Sequence, residues 1–200
     1  MYFTSATTGR DRSGIIQPIY LIRQNFTCSL ADRLATRPFL TPVEKDFIAF
    51  QLLEALDHLH ASTDTPLCHG DIKAENVMIT SFNFVVLTDF ASFKPTTLPI
   101  NDPSKFNYFF HTPTESSSTK PKKCYVAPER FVDSDLKTNA ASENAVLTPP
   151  HDIFSTGCVF IEMYLNGEVV FDLPSLLRYR IEQVRVERSE SEARARLERG

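Results

Sequence analysis

Two short polar motifs with a pair of apolar runs between them constrain the fold of this chain more than any other feature. The first motif occupies residues 69–76 (His-Gly-Asp-Ile-Lys-Ala-Glu-Asn), and the second occupies residues 89–91 (Asp-Phe-Ala). The runs 77–80 and 84–88 are apolar and rich in residues that favour strands, and residues 81–83 separate them. This pattern predicts a β-hairpin between the two polar motifs.

The polar residues of both motifs suit metal-assisted phosphoryl transfer. Asp71 and Asn76 have the spacing D-x-x-x-x-N, with which one loop provides a carboxylate that accepts a hydroxyl proton and an amide oxygen that reaches Mg²⁺. Lys73 places a cation where charge builds on a transferred phosphoryl group, and Asp89 offers a hard carboxylate oxygen to a metal that ATP phosphates also hold. We therefore predict that Asp71 and Lys73 are catalytic, that Lys73, Asn76 and Asp89 bind ATP, and that Asn76 and Asp89 bind Mg²⁺.

Two further motifs follow in order along the chain. Residues 127–129 (Ala-Pro-Glu) are typical of the end of a kinase activation segment, and residues 152–157 match the D-x-x-x-x-G that opens a long helix. The four motifs together resemble the protein kinase fold. The resemblance implies an α+β domain, mainly the α-rich C-terminal lobe with a small β-hairpin. The N-terminal lobe is expected to be largely missing, because the segment before Tyr20 is too short for a Gly-rich loop and a Lys–Glu pair.

Length and composition narrow the class of protein. The 200 residues, of which 42% are hydrophobic, suffice for one globular domain with a sizeable core. The net charge of −4 and the lack of a basic stripe argue against nucleic acid as a partner. No apolar run approaches the roughly 18 residues of a membrane span, so we expect no direct membrane insertion. Tyr2 occupies the position where N-myristoylation requires glycine, so that anchor is expected to be absent.

The four cysteines are widely separated and form no C-x-x-C pair. We therefore expect reduced thiols, as in a cytoplasmic protein, and neither a disulfide framework nor a zinc framework. Four of the five histidines, His58, His60, His111 and His151, show no metal-ligand pattern with these cysteines.

Helix signals are clearest in the first half of the chain. Residues 29–34 predict a short helix, and the capping box at 41–44, with Pro at the first helical position, predicts a helix to about His60. Apolar residues at three- and four-residue steps predict which face of this helix is buried in the core. They are Val43, Phe47, Phe50, Leu53, Leu56 and, at the last step, Leu59 or His60.

The second half is predicted to be less regular. Residues 92–126 are expected to be an irregular activation segment, and residues 133–150 another loop. Asp152 is expected to cap a helix over 153–166 that Gly167 ends. A last short helix is predicted over 173–181.

The predicted domain organisation has three parts. Residues 1–14 are expected to be a disordered lead-in, and residues 15–181 a protein kinase domain with hinge, C-lobe and an activation segment over 89–129. The kinase domain is expected to begin with a strand at 15–22. The tail at 182–200 is rich in Arg and Glu and has no apolar face to bury.

The residues around the motifs resemble one kinase family more closely. His-Gly-Asp at 69–71 replaces His-Arg-Asp, and residues 88–95 (Thr-Asp-Phe-Ala-Ser-Phe-Lys-Pro) replace the usual Asp-Phe-Gly segment. With residues 106–110 (Phe-Asn-Tyr-Phe-Phe) and 124–131 (Cys-Tyr-Val-Ala-Pro-Glu-Arg-Phe), they resemble the vacuolar-protein-sorting serine/threonine kinases that act as phosphoinositide 3-kinase regulatory subunit 4. The resemblance runs from about Tyr20 to about Arg180.

This resemblance implies a function, cofactors and partners. It implies transfer of phosphate from ATP, with GTP as an alternative nucleotide and Mg²⁺ as the metal, to protein Ser or Thr. The implied partners are the class III phosphatidylinositol 3-kinase catalytic subunit and the subunits of autophagy and endosomal complexes. The implied location is cytoplasmic and peripheral on endosomal and autophagic membranes. The alternative is a pseudokinase scaffold that binds nucleotide and regulates the lipid kinase without phosphoryl transfer.

Several residues depart from the usual kinase pattern. Gly70 removes the Arg that would bind a phosphate on the activation segment, so activation by that contact is not expected. Lys122 and Lys123 occupy the region of the Thr that usually joins the catalytic Asp and Lys, and Ala91 restricts the backbone where Gly is usual. With the phosphate-binding lobe missing, the chain alone is expected to turn over hardly at all.

Some motif residues are expected to be structural. His69 is expected to brace the catalytic loop, and Asp152 to accept hydrogen bonds from its backbone. Glu129 is expected to anchor the activation segment through an Arg of a later helix that this chain lacks. A solvated loop is expected for the lysines at 120, 122 and 123.

Overall fold

A computed structural model of the chain describes residues 26–61, 66–91, 93–110, 122–132 and 145–197, with side chains as far as residue 186. The lead-in 1–14, the predicted strand 15–22 and most of the predicted loop 133–150 lie outside these residues. The described elements are, in chain order, β1 (Cys28–Ser29), α1 (Leu30–Ala35), α2 (Pro42–His60), a 3-10 turn (Ala74–Asn76), β2 (Val77–Ile79), β3 (Val85–Leu87), β4 (Leu98–Pro99), α3 (Pro103–Phe110), a second 3-10 turn (Pro128–Arg130), β5 (Phe131–Val132), α4 (Pro149–Tyr164) and α5 (Leu173–Leu197).

The predicted hairpin is confirmed as the centre of a small antiparallel sheet. Strands β2 and β3 pair with Val77 opposite Leu87, and β1 adds to the other edge of β2. Asn83 adopts a φ of 60° in the turn between β2 and β3, a conformation that Asn tolerates better than most residues. The β2 residues Val77 and Ile79 are buried in the apolar core.

Reciprocal capping fixes the start of α2, as the sequence predicts. The backbone N–H of Thr41 donates to Glu44 Oε2 at 2.8 Å, and the Glu44 N–H donates to Thr41 Oγ1 at 3.3 Å. Ser29 and Asp32 form the same arrangement at the start of α1. Each pair satisfies backbone donors that a helix start leaves without partners.

The predicted core face of α2 is largely wrong. Of the predicted stripe, Leu56 is buried, but Val43 is 77% exposed, Phe50 60% and Leu53 49%. The buried face instead contains Ile48, Leu52 and Leu56, with Lys45 at its edge. Apolar residues occur on both sides of this helix, so their periodicity alone could not choose a face. The buried side is the one that packs with residues of α4 in a shared core.

The predicted irregular activation segment contains regular structure. Residues 98–99 form β4, which pairs in parallel with β5, and residues 103–110 form α3. Phe106 and Phe110 are four positions apart on α3, and both are buried with Leu98 and Phe131 in a second apolar cluster. The polar composition of the surrounding chain concealed this apolar helix face.

The start and end of the last two helices also differ in part from prediction. Thr148 precedes α4 and caps it through His151, so Asp152 lies inside the first turn and is not the cap. The helix ends at Tyr164, two residues before the predicted end, and both Asn166 (φ 56°) and Gly167 (φ 93°) then adopt left-handed angles; the Gly167 N–H donates to Glu162 O. Helix α5 continues to Leu197, through the charged tail.

None of the helices in the described part of the chain has the length and hydrophobicity of a membrane span.

The corrected face of α2 can be tested with two adjacent leucines. Leu52 is fully buried, whereas Leu53 is half exposed. We expect Leu52→Ala to lower the free energy of unfolding by about 2–5 kcal/mol, because it leaves a cavity in the core. The matched control Leu53→Ala should cost less than about 1 kcal/mol. Urea denaturation of both variants measures the difference, and a larger loss at Leu53 would restore the predicted face.

Candidate active site

A buried carboxylate holds the loop that carries the first motif. Asp152 is 1% exposed, and its side chain accepts the backbone N–H of His69 at 2.7 Å and that of Gly70 at 2.9 Å. His60 Nε2 lies 3.0 Å from the same carboxylate. Asp152 therefore hydrogen-bonds the catalytic-loop backbone, as predicted from the sequence. These bonds satisfy donors that would be costly to bury unpaired.

Gly70 is required by the shape of this loop. Its φ is 78°, a region that residues with a side chain rarely adopt, and an added Cβ would lie 2.6 Å from Leu147 Cδ1. The replacement of the usual Arg by Gly70 is therefore built into the local backbone and packing.

His69 joins the loop to the end of β3. Its ring is fully buried and stacks against Phe90, with 4.5 Å between the ring centroids. Nδ1 accepts the Asp71 N–H at 3.3 Å, so Nε2 carries the proton and donates to Thr88 O at 2.8 Å. Burial lowers the pKa of His69 and favours this neutral form. The predicted bracing role of His69 is consistent with these contacts.

The structure brings Asp71 and Asn76 together. The Asn76 amide donates from Nδ2 to Asp71 O at 2.8 Å and to Asp71 Oδ2 at 3.1 Å. Both donor contacts use the nitrogen, so they orient the amide oxygen away from Asp71, where it is suited to a metal ion.

Asp89 is placed next to this pair by the hairpin. The Thr88 N–H donates to Asn76 O at 3.0 Å, so Asp89 follows directly after a backbone contact with the catalytic loop. Asp89 adopts a φ of 62° and is exposed. A carboxylate and an amide oxygen on adjacent segments are the hard donors that Mg²⁺ prefers, so these residues fit that metal.

Ala91 does not adopt the positive φ that a glycine at this position would permit. Among the described residues other than glycine, positive φ angles occur at Asn83, Asp89 and Asn166. Ala91 is buried, and its N–H donates to His69 O at 2.9 Å. The left-handed residue of this motif is thus Asp89, and Ala91 fits without strain.

Lys73 lies at the edge of the same site. Its Nζ is 3.9 Å from Asp71 Oδ2 and 3.5 Å from Phe110 O. A cavity of about 20 Å³ adjoins these groups and is also lined by Tyr125 and Val126. Lys73 is thus near Asp71 without a close ion pair, and its side chain, 13% exposed, donates to Phe110 O beside a cavity large enough for about one water.

Lys94 is a close partner of Asp71 that the sequence motifs do not indicate. Its Nζ lies 2.6 Å from Asp71 Oδ2 and 4.6 Å from the centroid of the Phe110 ring. The only sequence signal is a single basic residue shortly after Asp89, and no spacing rule connects it to Asp71. The contact arises because the activation segment folds back on the catalytic loop.

Arg130 is a second missed residue and links three backbone segments. It is 2% exposed, and its guanidinium donates to Gly70 O at 2.9 Å, Thr96 O at 2.8 Å and Pro95 O at 2.8 Å. Burial lowers the pKa of Arg130, but a guanidinium stays charged in proteins. The sequence signal is weak: Arg130 follows Glu129 in a mostly apolar run at 124–131, where a buried Arg is rare.

The predicted solvated lysine cluster is partly wrong. Lys120 lies outside the described residues and Lys122 is exposed, but Lys123 Nζ lies 2.8 Å from Glu75 Oε1 and 2.5 Å from Glu162 Oε1. Burial alone would lower the pKa of Lys123, but the two carboxylates raise it. Lys123 therefore ties the end of the activation segment to the catalytic loop and to α4.

The structure groups one histidine with a cysteine, which the sequence pattern did not suggest. Ligand atoms of His60, Cys68 and Asp152 lie within 4.8 Å of one another. The Asp152 carboxylate already accepts the backbone bonds from the catalytic loop. Burial raises the pKa of the Cys68 thiol, which opposes the thiolate that metals bind. We therefore assign this cluster a structural role.

Glu129 remains half exposed near the end of the segment. Its Oε1 lies 3.8 Å from His151 Nε2. The expected anchoring of Glu129 by an Arg of a later helix stays a prediction.

The buried His69 predicts how stability depends on pH. The unfolded chain has a His pKa of about 6.5, and burial lowers the pKa of His69 in the fold. The unfolded state therefore binds more protons below about pH 6.5, so stability present above that pH is lost as the pH falls. We expect urea denaturation at pH 7.5, 6.5 and 5.5 to show this loss.

The control for this prediction is His69→Gln, in which the group at position 69 cannot titrate. His151, whose pKa burial also lowers, still contributes in the variant. The slope of stability against pH should therefore be smaller than in the unmodified chain but not zero. An unchanged slope would contradict the assignment to His69.

Comparison with known proteins supports the resemblance seen in the motifs. A family profile described as "Protein kinase domain" matches residues 16–195. Serine/threonine-protein kinase VPS15 of Arabidopsis thaliana is 50% identical over 161 residues, which cover 80% of this chain and 10% of that protein. The probable serine/threonine-protein kinase vps15 of Dictyostelium discoideum is 48% identical over 170 residues, 85% of this chain and 8% of that protein. VPS15 of Saccharomyces cerevisiae is 45% identical over 162 residues, 80% of this chain and 10% of that protein.

The predicted α+β kinase fold is confirmed by a solved structure. The MAP kinase LmaMPK10 from Leishmania major superposes with a TM-score of 0.52 over 88% of this chain and 39% of that one, at 16% identity. At this identity the match shows the fold alone. The chain spans about a tenth of the length of the curated relatives above. It belongs to the protein kinase family, and within that family to the VPS15 group of serine/threonine kinases.

Proposed function

We propose that residues 15–181 form the hinge and C-lobe of a kinase domain that transfers phosphate from ATP to protein Ser or Thr. The observation that supports the proposal is the hydrogen bond between Asn76 and Asp71, together with the bond from the N–H of Thr88, the residue before Asp89, to Asn76 O. These are the residue types, in the order and spacing, that phosphoryl transfer needs. The activation segment extends over residues 89–129.

Each residue has a separate role in this proposal. When bound, ATP supplies the phosphoryl group, and Mg²⁺ neutralises charge on its phosphates. Asp71 accepts the proton of the acceptor hydroxyl, and Lys73 stabilises negative charge that develops on the transferred group. Asn76 and Asp89 would hold the metal through an amide oxygen and a carboxylate. GTP is an alternative nucleotide.

The acceptor and the mode of control follow from residues of the loop. Lys73 follows Asp71 at the position typical of serine/threonine kinases, so we infer Ser or Thr acceptors. Gly70 offers no guanidinium to a phosphorylated activation segment. Arg130 is buried and already bonded to three carbonyl groups. We infer that activity does not depend on phosphorylation of this segment.

The cellular setting is proposed from the family resemblance. The partners would be the catalytic subunit of class III phosphatidylinositol 3-kinase and other subunits of autophagy and endosomal complexes. The complete protein would act in autophagy and in endosomal and vacuolar sorting, peripherally on the cytoplasmic side of those membranes. The motif residues at 88–95 and 124–131 support this setting.

Nucleotide binding can be tested by thermal unfolding with and without Mg²⁺-ATP. A ligand at a hundred times its dissociation constant should stabilise the fold by about 2.7 kcal/mol. We expect Asp89→Ala to remove this gain, because it removes a metal ligand, and the exposed Asp57→Ala to keep it. Parallel scans with Mg²⁺-GTP compare the nucleotides. A gain that survives Asp89→Ala would contradict the proposed metal site.

Phosphoryl transfer can be tested with Asp71→Asn in the complete protein. The variant should keep Mg²⁺-ATP binding but lose transfer to Ser/Thr by about 10²–10⁴-fold, because Asn cannot accept the hydroxyl proton. Transfer of radioactive phosphate measures the loss. Nucleotide binding without transfer in the unmodified protein, with unchanged lipid-kinase output from Asp71→Asn, would favour the pseudokinase scaffold instead.

A further inference from the structure

Lys94 and Asp71 form an ion pair that is largely shielded from water. The Lys94 Nζ lies 2.6 Å from Asp71 Oδ2, and the two side chains are 10% and 9% exposed. The ring of Phe110 covers the ammonium at 4.6 Å, and Phe110 is itself buried in the apolar cluster around α3. Charges interact more strongly in such a site than at the surface, where ion pairs contribute little.

The backbone fixes Lys94 in this place. Its N–H donates to Ala91 O at 3.0 Å, and the Ala91 N–H donates to His69 O at 2.9 Å. Lys94 is therefore linked to the catalytic loop by a chain of backbone bonds as well as by its side chain. The ammonium is held where the metal-binding motif turns into the activation segment.

The contacts to Asp71 are concentrated on one of its two oxygens. Lys94 Nζ and Asn76 Nδ2 both donate to Oδ2, at 2.6 Å and 3.1 Å, and Lys73 lies 3.9 Å from the same oxygen. Within the described residues these donors fix the rotation of the carboxylate. Oδ1 is then the oxygen that can face an acceptor hydroxyl.

We propose that Lys94 is a positioning residue for Asp71. Its ammonium holds Oδ2, so the carboxylate presents Oδ1 to the hydroxyl that attacks the phosphoryl group. This proposal rests on the proposed kinase function and assigns a residue to a task that no motif covers. Lys122 and Lys123 stand in the region where a Thr usually joins the catalytic Asp and Lys. Here Lys94 contacts Asp71 from the other end of the activation segment.

The two lysines near Asp71 then have separate tasks. Lys73 lies 3.9 Å from Asp71 and lines the cavity, and in the proposed function its cation stabilises the transferred phosphoryl group. The ring of Phe110 covers the Lys94 ammonium, and this ammonium forms an ion pair with Asp71. This separation predicts that a change at Lys94 affects the rate of transfer and leaves ATP binding intact.

The kinetic test uses Lys94→Met in the complete protein, because Met keeps the length and the apolar contact with Phe110 but removes the charge. We expect kcat for phosphate transfer to fall by about 10–100-fold, as a misplaced catalytic group would cause, with KM for ATP unchanged. Lys94→Arg should recover part of kcat, since it keeps a donor. The control Lys105→Met, an exposed lysine of α3, should change neither constant.

Two kinetic outcomes overturn the proposal. A kcat of Lys94→Met equal to or above that of the unmodified protein would mean that Lys94 restrains Asp71 or has no role. A loss confined to KM for ATP would place Lys94 in nucleotide binding.

A second measurement separates this proposal from the kinase function itself. Thermal unfolding of Lys94→Met, Asp71→Asn and the double variant forms a cycle that does not require activity. Each single change should lower the Tm by several degrees, and the double change should lower it by clearly less than the sum. Additive losses overturn the pairing even if the protein transfers phosphate. If the unmodified protein transfers none, the kinase function fails, and the cycle still decides whether the two side chains act as a pair.

Discussion

The candidate site depends on the buried carboxylate of Asp152. This side chain stands in the first turn of α4 and accepts the two backbone N–H groups at the start of the catalytic loop. Neither donor could be buried there without a partner, and the loop could not turn there without the positive φ of Gly70. Packing of α4 against α2 therefore determines where the loop lies. Helix α4 thus positions the catalytic loop, and the chemistry of the loop depends on that position.

Hydrogen bonds then connect the catalytic loop to the segments that carry the other functional residues. His69 reaches the end of β3 through Thr88 O, and Thr88 in turn bonds to Asn76 O. These bonds close a ring between the catalytic loop and the hairpin, and they place the backbone of Thr88, the residue before Asp89, against Asn76. Because the ring is made of backbone and a neutral imidazole, its geometry does not depend on a charge that solvent could screen. Protonation of His69 removes the bond that Nδ1 accepts from the Asp71 N–H, whereas Nε2 keeps its proton and its bond to Thr88 O.

Local patterns predicted those parts of the structure that local interactions determine. The hairpin and the capping box at 41–44 depend on residues close in sequence, and both were found where predicted. The cap of α4 was not, since it is Thr148 and not Asp152. The core face of α2 was not predicted either, because apolar residues occur on the buried and the exposed parts of this helix and only tertiary packing chooses between them. The partners of Lys94 and Arg130 could not be predicted either. Each cation meets a group far away in sequence, and no spacing encodes such contacts.

Three cations contact the activation segment and its surroundings. Arg130 donates to carbonyl groups of the segment (Pro95 and Thr96) and of the catalytic loop (Gly70), Lys94 pairs with Asp71, and Lys123 bridges Glu75 and Glu162. Removing one partner of a buried ion pair costs about 3–5 kcal/mol, whereas an exposed pair contributes at most about 1 kcal/mol. The Lys94–Asp71 pair, whose side chains are 10% and 9% exposed, lies nearer the buried case than the Lys123–Glu75 pair, whose side chains are 22% and 31% exposed. A phosphate on the activation segment would then add little order to that segment. This agrees with a catalytic loop that has Gly70 where a phosphate-binding Arg is usual.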